Sequence, residues 1–279
     1  MNPSKLYQKL SRHELRSALL GMVLGDASLQ MRATNARLNM AHKPSVEDYA
    51  QLKRYILQQV PGVWVKYKVV QHQNRKLGKV YPSLRIWSGV HPFFTKMRNR
   101  LYAPHKRINR GILASLTDLG FALWFMDDGH LSLHHNVRRY ETDEGTSASD
   151  RSICSRNYIL NTHSFSREEN EMIVEWMEAR WNIKARVKEE RRGKTFYVFL
   201  NTTNARRLAD VVRPYVLPVP SMHYKIDFRY TEKSSALLRY NVQPWLDGTM
   251  EEGHECAASI LVRHIQQMDD DIVRACGKL

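Results

Sequence analysis

The chain has 279 residues, with 43 lysines and arginines against 28 aspartates and glutamates for a net charge of +15, and 43% hydrophobic residues with only 13 glycines and 10 prolines. That composition describes one or two globular domains and excludes a disordered or fibrous chain. No apolar run approaches the roughly 20 residues needed to cross a bilayer, and the opening MNPSKLYQKL lacks the apolar core of a signal peptide, so the expectation is a soluble, intracellular protein with no membrane partner. Cys154, Cys256 and Cys276 are odd in number and contain no C-x-x-C pair, which encodes neither a disulfide framework nor a zinc site and fits a reducing compartment.

The charge is unevenly placed. Residues 1–116 hold 21 basic and four acidic side chains, residues 117–231 hold 17 and 16, and residues 232–279 hold five and eight. A basic first part interspersed with Tyr and Trp points to a polyanion, because neutralising phosphates releases counterions and drives binding without reading sequence. Charge alone equally describes a solvated, solubility-promoting surface.

Taken in chain order, the predicted elements repeat. LLGMVLGDA (19–27) is an apolar helical run ending in an acid. A strand over 37–42 and a helix over 44–60 follow, and then Val65, Tyr67 and Val69 alternate with Lys66 and Lys68. A turn QHQNRKLGK leads to a returning strand over 81–88, a helix over 92–101 and a closing segment LYAPHKRI. The pattern then starts again with FALWFMDDG (121–129). Residues 157–163 form a strand, and 166–181 a helix whose Ser166 and Glu169 make a capping box. Lys184, Arg186 and Lys188 alternate with Ala185 and Val187, a strand returns over 195–201, a helix covers 203–211, and VLPVPSMHYKI closes the second unit.

The polar stretch 134–155 is read as a mobile hairpin tip or loop, and residues 256–276 as an amphipathic helix in a C-terminal appendage. The predicted architecture is α+β: two pseudo-symmetric αββαββα halves over 1–116 and 117–231, and a helical tail over 232–279.

Either apolar nine-residue run alone describes a core helix. Two of them, one per repeat, suggest a helix pair about a pseudo-twofold axis, with Gly21 and Gly25 permitting close backbone approach. Asp26 and Asp128, 102 positions apart, then meet at two negative helix ends and demand a cation. Hard divalent ions, Mg²⁺ first, take such oxygen ligands with water and phosphate, which suggests phosphodiester hydrolysis on a basic protein. Asp127 is expected in a supporting role.

LLGMVLGDA and ALWFMDDG resemble the paired motifs of single-chain LAGLIDADG homing endonucleases, closest to the WFMDDG-bearing branch. ILNTHSFSREENEMIV (159–174) and VRPYVLPVPSMHYKI (212–226) extend the likeness, which covers roughly residues 12–230. The resemblance implies two saddle-shaped antiparallel sheets along the DNA major groove and a monomer with internal pseudo-twofold symmetry. It further implies Mg²⁺-dependent double-strand cleavage of a long asymmetric site with short 3′ overhangs. Two or three ions would be shared between the acids, with Mn²⁺ substituting and Ca²⁺ binding without cleavage.

Asp26 and Asp128 match the family's metal-binding acids, with the backbone carbonyls of Ala27 and Gly129 as further ligands. Lys225 matches the basic residue near the family's active site, and Lys106 is its counterpart, with a register uncertain by one position between His105 and Arg107. A lysine beside each scissile phosphate stabilises developing charge; the alternative is a pair of surface lysines that contact phosphate. Arg37, Asn39, Lys66, Lys68, Arg85, Arg186 and Lys188 are candidates for contact with base edges or phosphates. His42 and His163 recur in the repeat and suit packing or phosphate contact better than metal ligation.

Two departures from the motif stand out: Ala27 replaces its final Gly, and Gly25 replaces the Ala before its Asp. The acidic tail has no counterpart in the resemblance. Besides a nuclease of double-stranded DNA, the same scaffold serves as a maturase for intron RNA or as a non-catalytic DNA-binding regulator. Retention of both acids favours the nuclease.

Overall fold

Each motif run becomes a helix that is apolar on every side. Helix α1 (Arg12–Leu24) begins at a Ser11 N-cap closed reciprocally by Glu14, and every residue from Ser17 to Leu24 is buried. Helix α5 (Asp118–Asp128) starts at Thr117 and buries Leu119 to Met126. A helix without a polar face is stable only inside protein, and these two supply that environment for each other, packing more extensively than any other helix pair. Their crossing is closest at Gly21 and Gly120. A Cβ on Gly21 would lie 1.8 Å from the Gly120 carbonyl oxygen, and one on Gly120 would lie 2.1 Å from Ser17 Oγ. Ser17 also accepts the Thr117 N–H at 2.7 Å, which ties the start of α5 to α1.

The computed structural model describes residues 8–74, 78–102, 105–141, 147–190 and 193–228. Strands β1 (Ser28–Arg32), β2 (Asn35–His42), β3 (Val65–Asn74) and β4 (Lys79–Ser88) form an antiparallel sheet in the order β1-β2-β4-β3, with α2 (Glu47–Gln58) between β2 and β3 and α3 (Pro92–Leu101) after β4. After the short α4 (Arg110–Leu113) and α5, the pattern recurs. Strands β5 (Gly129–Glu141), β6 (Ser147–Leu160), β7 (Arg186–Glu190) and β8 (Thr195–Leu200) pair in the order β5-β6-β8-β7, with α6 (Arg167–Trp181) and α7 (Thr202–Val216) in the matching places. This is the expected two-half α+β fold.

Alternation within the strands divides each sheet into a helix-facing and an open side. Leu38, Met40, Leu84 and Ile86 are buried in the first sheet, as are Tyr158, Leu160, Val198 and Leu200 in the second. Both halves fall in one compact unit, Met1–Phe228; the unit Arg229–Leu279, which contains the expected tail helix, lies outside the described residues.

Local expectations hold where caps and alternation carry them. Helix α3 has the expected bounds, and the Ser166–Glu169 box caps α6. Two segments differ. The polar run 134–155 is mostly strand: β5 and β6 pair from Gly129↔Leu160 out to Glu141↔Ser147, with a register shift at His134/His135. In the same way, most of QHQNRKLGK extends β3 and β4 rather than forming a wide turn. Both are hairpins as read, one from a turn and the other from a hairpin tip or loop, but their strands run further than expected through segments that lack apolar alternation, since backbone pairing needs none. Helix α7 runs through Pro214 to Val216, five residues further than its expected end.

Candidate active site between the motif helices

The C-terminal ends of α1 and α5 bring three carboxylates together. Asp128 is the last residue of α5, while Asp26 lies just beyond the Gly25 C-cap of α1. Asp128 is half-buried and Asp26 is exposed. Trp124, one helical turn earlier, donates its indole N–H to Asp128 Oδ2 at 2.9 Å. Burial, then the Asp127 charge, push the Asp128 carboxyl up to about 7. The surrounding protein mass and the Asp127 charge also raise Asp26. Two acids that resist ionisation side by side are a donor set suited to a hard cation. Among the described residues no group of three or more His, Cys, Asp or Glu forms a metal-binding cluster. Ala27 and Gly129 directly follow the two acids; Ala27 immediately precedes β1, and Gly129 opens β5.

Each of the two helix ends is met by a lysine from the closing segment of its own half. Lys106 Nζ donates to the carbonyls of Leu24 and Gly25, both at 3.1 Å, and Lys225 Nζ donates to those of Met126 and, at 3.2 Å, Asp127. Leu24 and Gly25 precede Asp26 as Met126 and Asp127 precede Asp128, so the two contacts are equivalent. Ammonium groups there satisfy orphan carbonyls and complement the negative helix ends. This settles the register: Lys106 points inward between exposed His105 and Arg107. Lys225, in the turn Pro220–Lys225 that follows α7, is 4% exposed and is not a surface lysine. Desolvation lowers its pKa to about 8 and also lowers that of Lys106.

Sequence reasoning missed the ion pair behind these groups. Lys53, on the buried face of α2, donates to both carboxylate oxygens of Asp127, at 2.5 and 2.7 Å, and both side chains are fully enclosed. Asp127 Oδ2 also accepts the Asp26 N–H at 3.1 Å. His42 Nε2 lies 3.4 Å from Lys53 Nζ, and burial and that ammonium push the imidazole down to about 4. Tyr49 donates its hydroxyl to the Leu123 carbonyl at 2.9 Å, and Asp48 accepts the Ser221 N–H at the same distance. Helix α2 of the first half therefore grips the motif helix and the lysine-bearing turn of the second. The only advance signal was a lysine flanked by Leu52 and Ile56 on an apolar stripe, with its partner 74 residues away.

The candidate base-contacting residues lie away from the acids, on the open sheet sides. Cross-strand register aligns Lys66 and Asn39 with Trp87, Lys68 with Arg85, and Arg37 with Gln30. In the second sheet Arg186 pairs with Phe199 and Lys188 with Tyr197, while Lys188 Nζ stands 3.8 Å above the Phe199 ring. His163 lies apart from the acids, 3.1 Å from Glu190 and against Tyr197.

Two sheets of identical strand order, joined through apolar helices that end in paired acids, define a duplicated nuclease-like scaffold. The family model for LAGLIDADG DNA endonucleases matches residues 16–208, and the chain belongs to that family. Over 122 residues, 43% of this chain and 72% of the relative, it is 34% identical to the probable intron-encoded DNA endonuclease 3 of Mycosarcoma maydis. Over 216 residues, 76% of this chain and 73% of the relative, it is 20% identical to the cytochrome b mRNA maturase bI2 of Debaryomyces hansenii. The solved structure of the homing endonuclease I-WcaI bound to its DNA recognition sequence shares the fold, with a TM-score of 0.62 at 21% identity over 81% of this chain and 91% of that one. No helix among the described residues is long and apolar enough to cross a membrane.

Proposed function

We propose that the protein is a monomeric, site-specific endonuclease that cuts both strands of a long asymmetric DNA site and leaves short 3′ overhangs. The observation that carries the reading is the meeting of Asp26 and Asp128 at two adjacent helix ends, with Lys106 and Lys225 held in equivalent contacts to the carbonyls that precede the two acids. A pure DNA binder has little physical use for two acids held where their charges repel. Asp26 and Asp128, with the Ala27 and Gly129 carbonyls, would hold divalent ions, Mg²⁺ or Mn²⁺ for cutting and Ca²⁺ for binding alone; such ions activate water and stabilise a leaving oxygen.

Lys106 and Lys225 supply positive charge beside that site, and the helix carbonyls that hold them orient each ammonium before DNA arrives. The open sheet sides hold the DNA: Arg37, Asn39, Lys66, Lys68 and Arg85 in the first half, Arg186 and Lys188 in the second. A second reading, service as an intron RNA maturase, is favoured by the similarity to maturase bI2 and would employ the same basic surface on RNA.

The test is Mg²⁺-dependent cleavage of a randomised or intron-insertion-site DNA library by the native protein and by Asp26→Asn and Asp128→Asn. Discrete breaks with 3′ overhangs, lost in either variant while DNA binding persists, are expected. Cutting retained by either variant overturns the metal assignment, and tight, salt-sensitive binding without breaks transfers the reading to the maturase.

A further inference from the structure

The two acids are held by different means. Asp128 is still inside α5, so helical geometry directs its backbone, and Trp124 fixes its carboxylate. Asp26 lies beyond the end of α1, after a Gly25 C-cap with φ −82° and ψ −128° that is not helical. Regular structure does not orient it. Its backbone N–H is instead bound by the Asp127 carboxylate, which reaches across from the other half, and that carboxylate is locked by two bonds from Lys53.

The arrangement is not reciprocated. The position equivalent to Asp127 is Gly25, the one equivalent to Trp124 is Met22, and α6, the counterpart of α2, contains no lysine and buries Asn170, Ile173 and Met177. Gly25 is itself part of the device. A Cβ there would come within 2.3–2.8 Å of the Asp127 carboxylate and Cβ, so the glycine that departs from the motif's alanine makes room for the extra acid.

We propose that Lys53 and Asp127 are positioning residues that fix the backbone of Asp26, and that they thereby set the balance between the rates at which the two DNA strands are cut. The inference rests on the nuclease reading above. Losing the anchor displaces Asp26 and leaves Asp128 under Trp124, so the two strand rates separate. Displacements on the order of an ångström at a reacting centre cost about 10²-fold, and a shift of tenfold or more in the ratio of the two rates is expected.

The experiment uses the full chain, Mg²⁺ and the cleaved site, labelled in turn on each strand and also carried on a supercoiled plasmid. Two double variants remove the buried charges together, since removing one alone strands the other. Lys53→Met with Asp127→Asn keeps an acceptor for the Asp26 N–H, while Lys53→Met with Asp127→Leu removes it. The Leu variant is expected to shift the strand ratio at least tenfold and to accumulate nicked circles, and the Asn variant to stay within about threefold of native, with Ca²⁺-supported DNA binding unchanged in both.

Gly25→Ala displaces the Asp127 carboxylate without altering any charge and is expected to shift the ratio in the same direction; it discriminates by itself if either double variant fails to fold. An unchanged ratio in the folded Leu variant or in Gly25→Ala, equal shifts in the Leu and Asn variants, or equal slowing of both strands overturns the proposal while leaving the nuclease intact. A native chain that cuts neither strand overturns the nuclease reading first, and this inference with it.

Discussion

The two halves share strand order, helix placement and the lysine-to-carbonyl contact, yet they are chemically unlike where function resides. In the first half the acid is exposed and held through its backbone from across the interface; in the second it is half-buried and held through its side chain from within its own helix. The open sheet sides diverge too. Register places Lys66, Lys68, Arg85, Asn39 and Trp87 together in the first, and Ile159, Phe199 and Tyr197 beside Arg186 and Lys188 in the second. A duplicated fold preserves what packing requires, while the side chains that meet solvent, metal or DNA are free to differ.

The sharpest way to break the comparison is at the lysines. Lys225→Ala is expected to slow cleavage by about 10²-fold, in the range found when one preorganised donor to developing charge is lost. Lys106→Ala is expected to slow it less, because Lys106 is more exposed than Lys225. Single-turnover rates on saturating DNA read both, and a pure affinity loss for Lys225→Ala returns that residue to phosphate contact.

The equivalence of the helices can be broken at their crossing. Gly21→Ala places a Cβ against the Gly120 carbonyl, and backbone cannot yield as a flexible side chain does. A loss of about 1–3 kcal/mol in urea unfolding is expected, and an unchanged midpoint would show that the helices slide apart freely.

Asp128→Asn separates stability from activity. The native carboxyl has its pKa raised from 3.8 to about 7, so the metal-free folded chain holds a proton that the unfolded chain releases. Native stability therefore falls as pH rises from about 4 through about 7. The asparagine variant escapes that loss and keeps an acceptor for Trp124. It is expected to be the more stable by about 1–2 kcal/mol at pH 8, with the gap closing towards pH 4. A gap independent of pH in thermal melts would remove the burial argument. The smallest effect is on the second sheet: Phe199→Ala is expected to weaken preference at one or two base pairs by about 1 kcal/mol, since an apolar side chain reads a thymine methyl, while leaving the salt dependence of binding unaltered. Competition binding across single-base variants measures it.

Much of this was legible in advance because it is local. Ser166 and Glu169 cap α6 from three residues apart, Lys66 and Lys68 alternate with apolar neighbours, and the paired acids end conspicuous apolar runs. The length of the β5–β6 ribbon was not legible, because its pairing runs through backbone groups that every polar sequence also possesses. Lys53 was hidden for a different reason. A lysine in an amphipathic helix ordinarily extends its ammonium to water, and only a carboxylate delivered by the other half allows it to be enclosed.

The sequence by itself therefore determined the duplication, the helices and strands that caps and periodicity specify, and the four charged residues at their ends. Tertiary structure alone decided which way Lys106 faces, that Lys53 and Asp127 meet, and that Asp26 and Asp128 are held unequally. Those outcomes depend on distances between segments far apart along the chain. Such distances are set by how closely Gly21 and Gly120 let two helices approach, not by any local propensity.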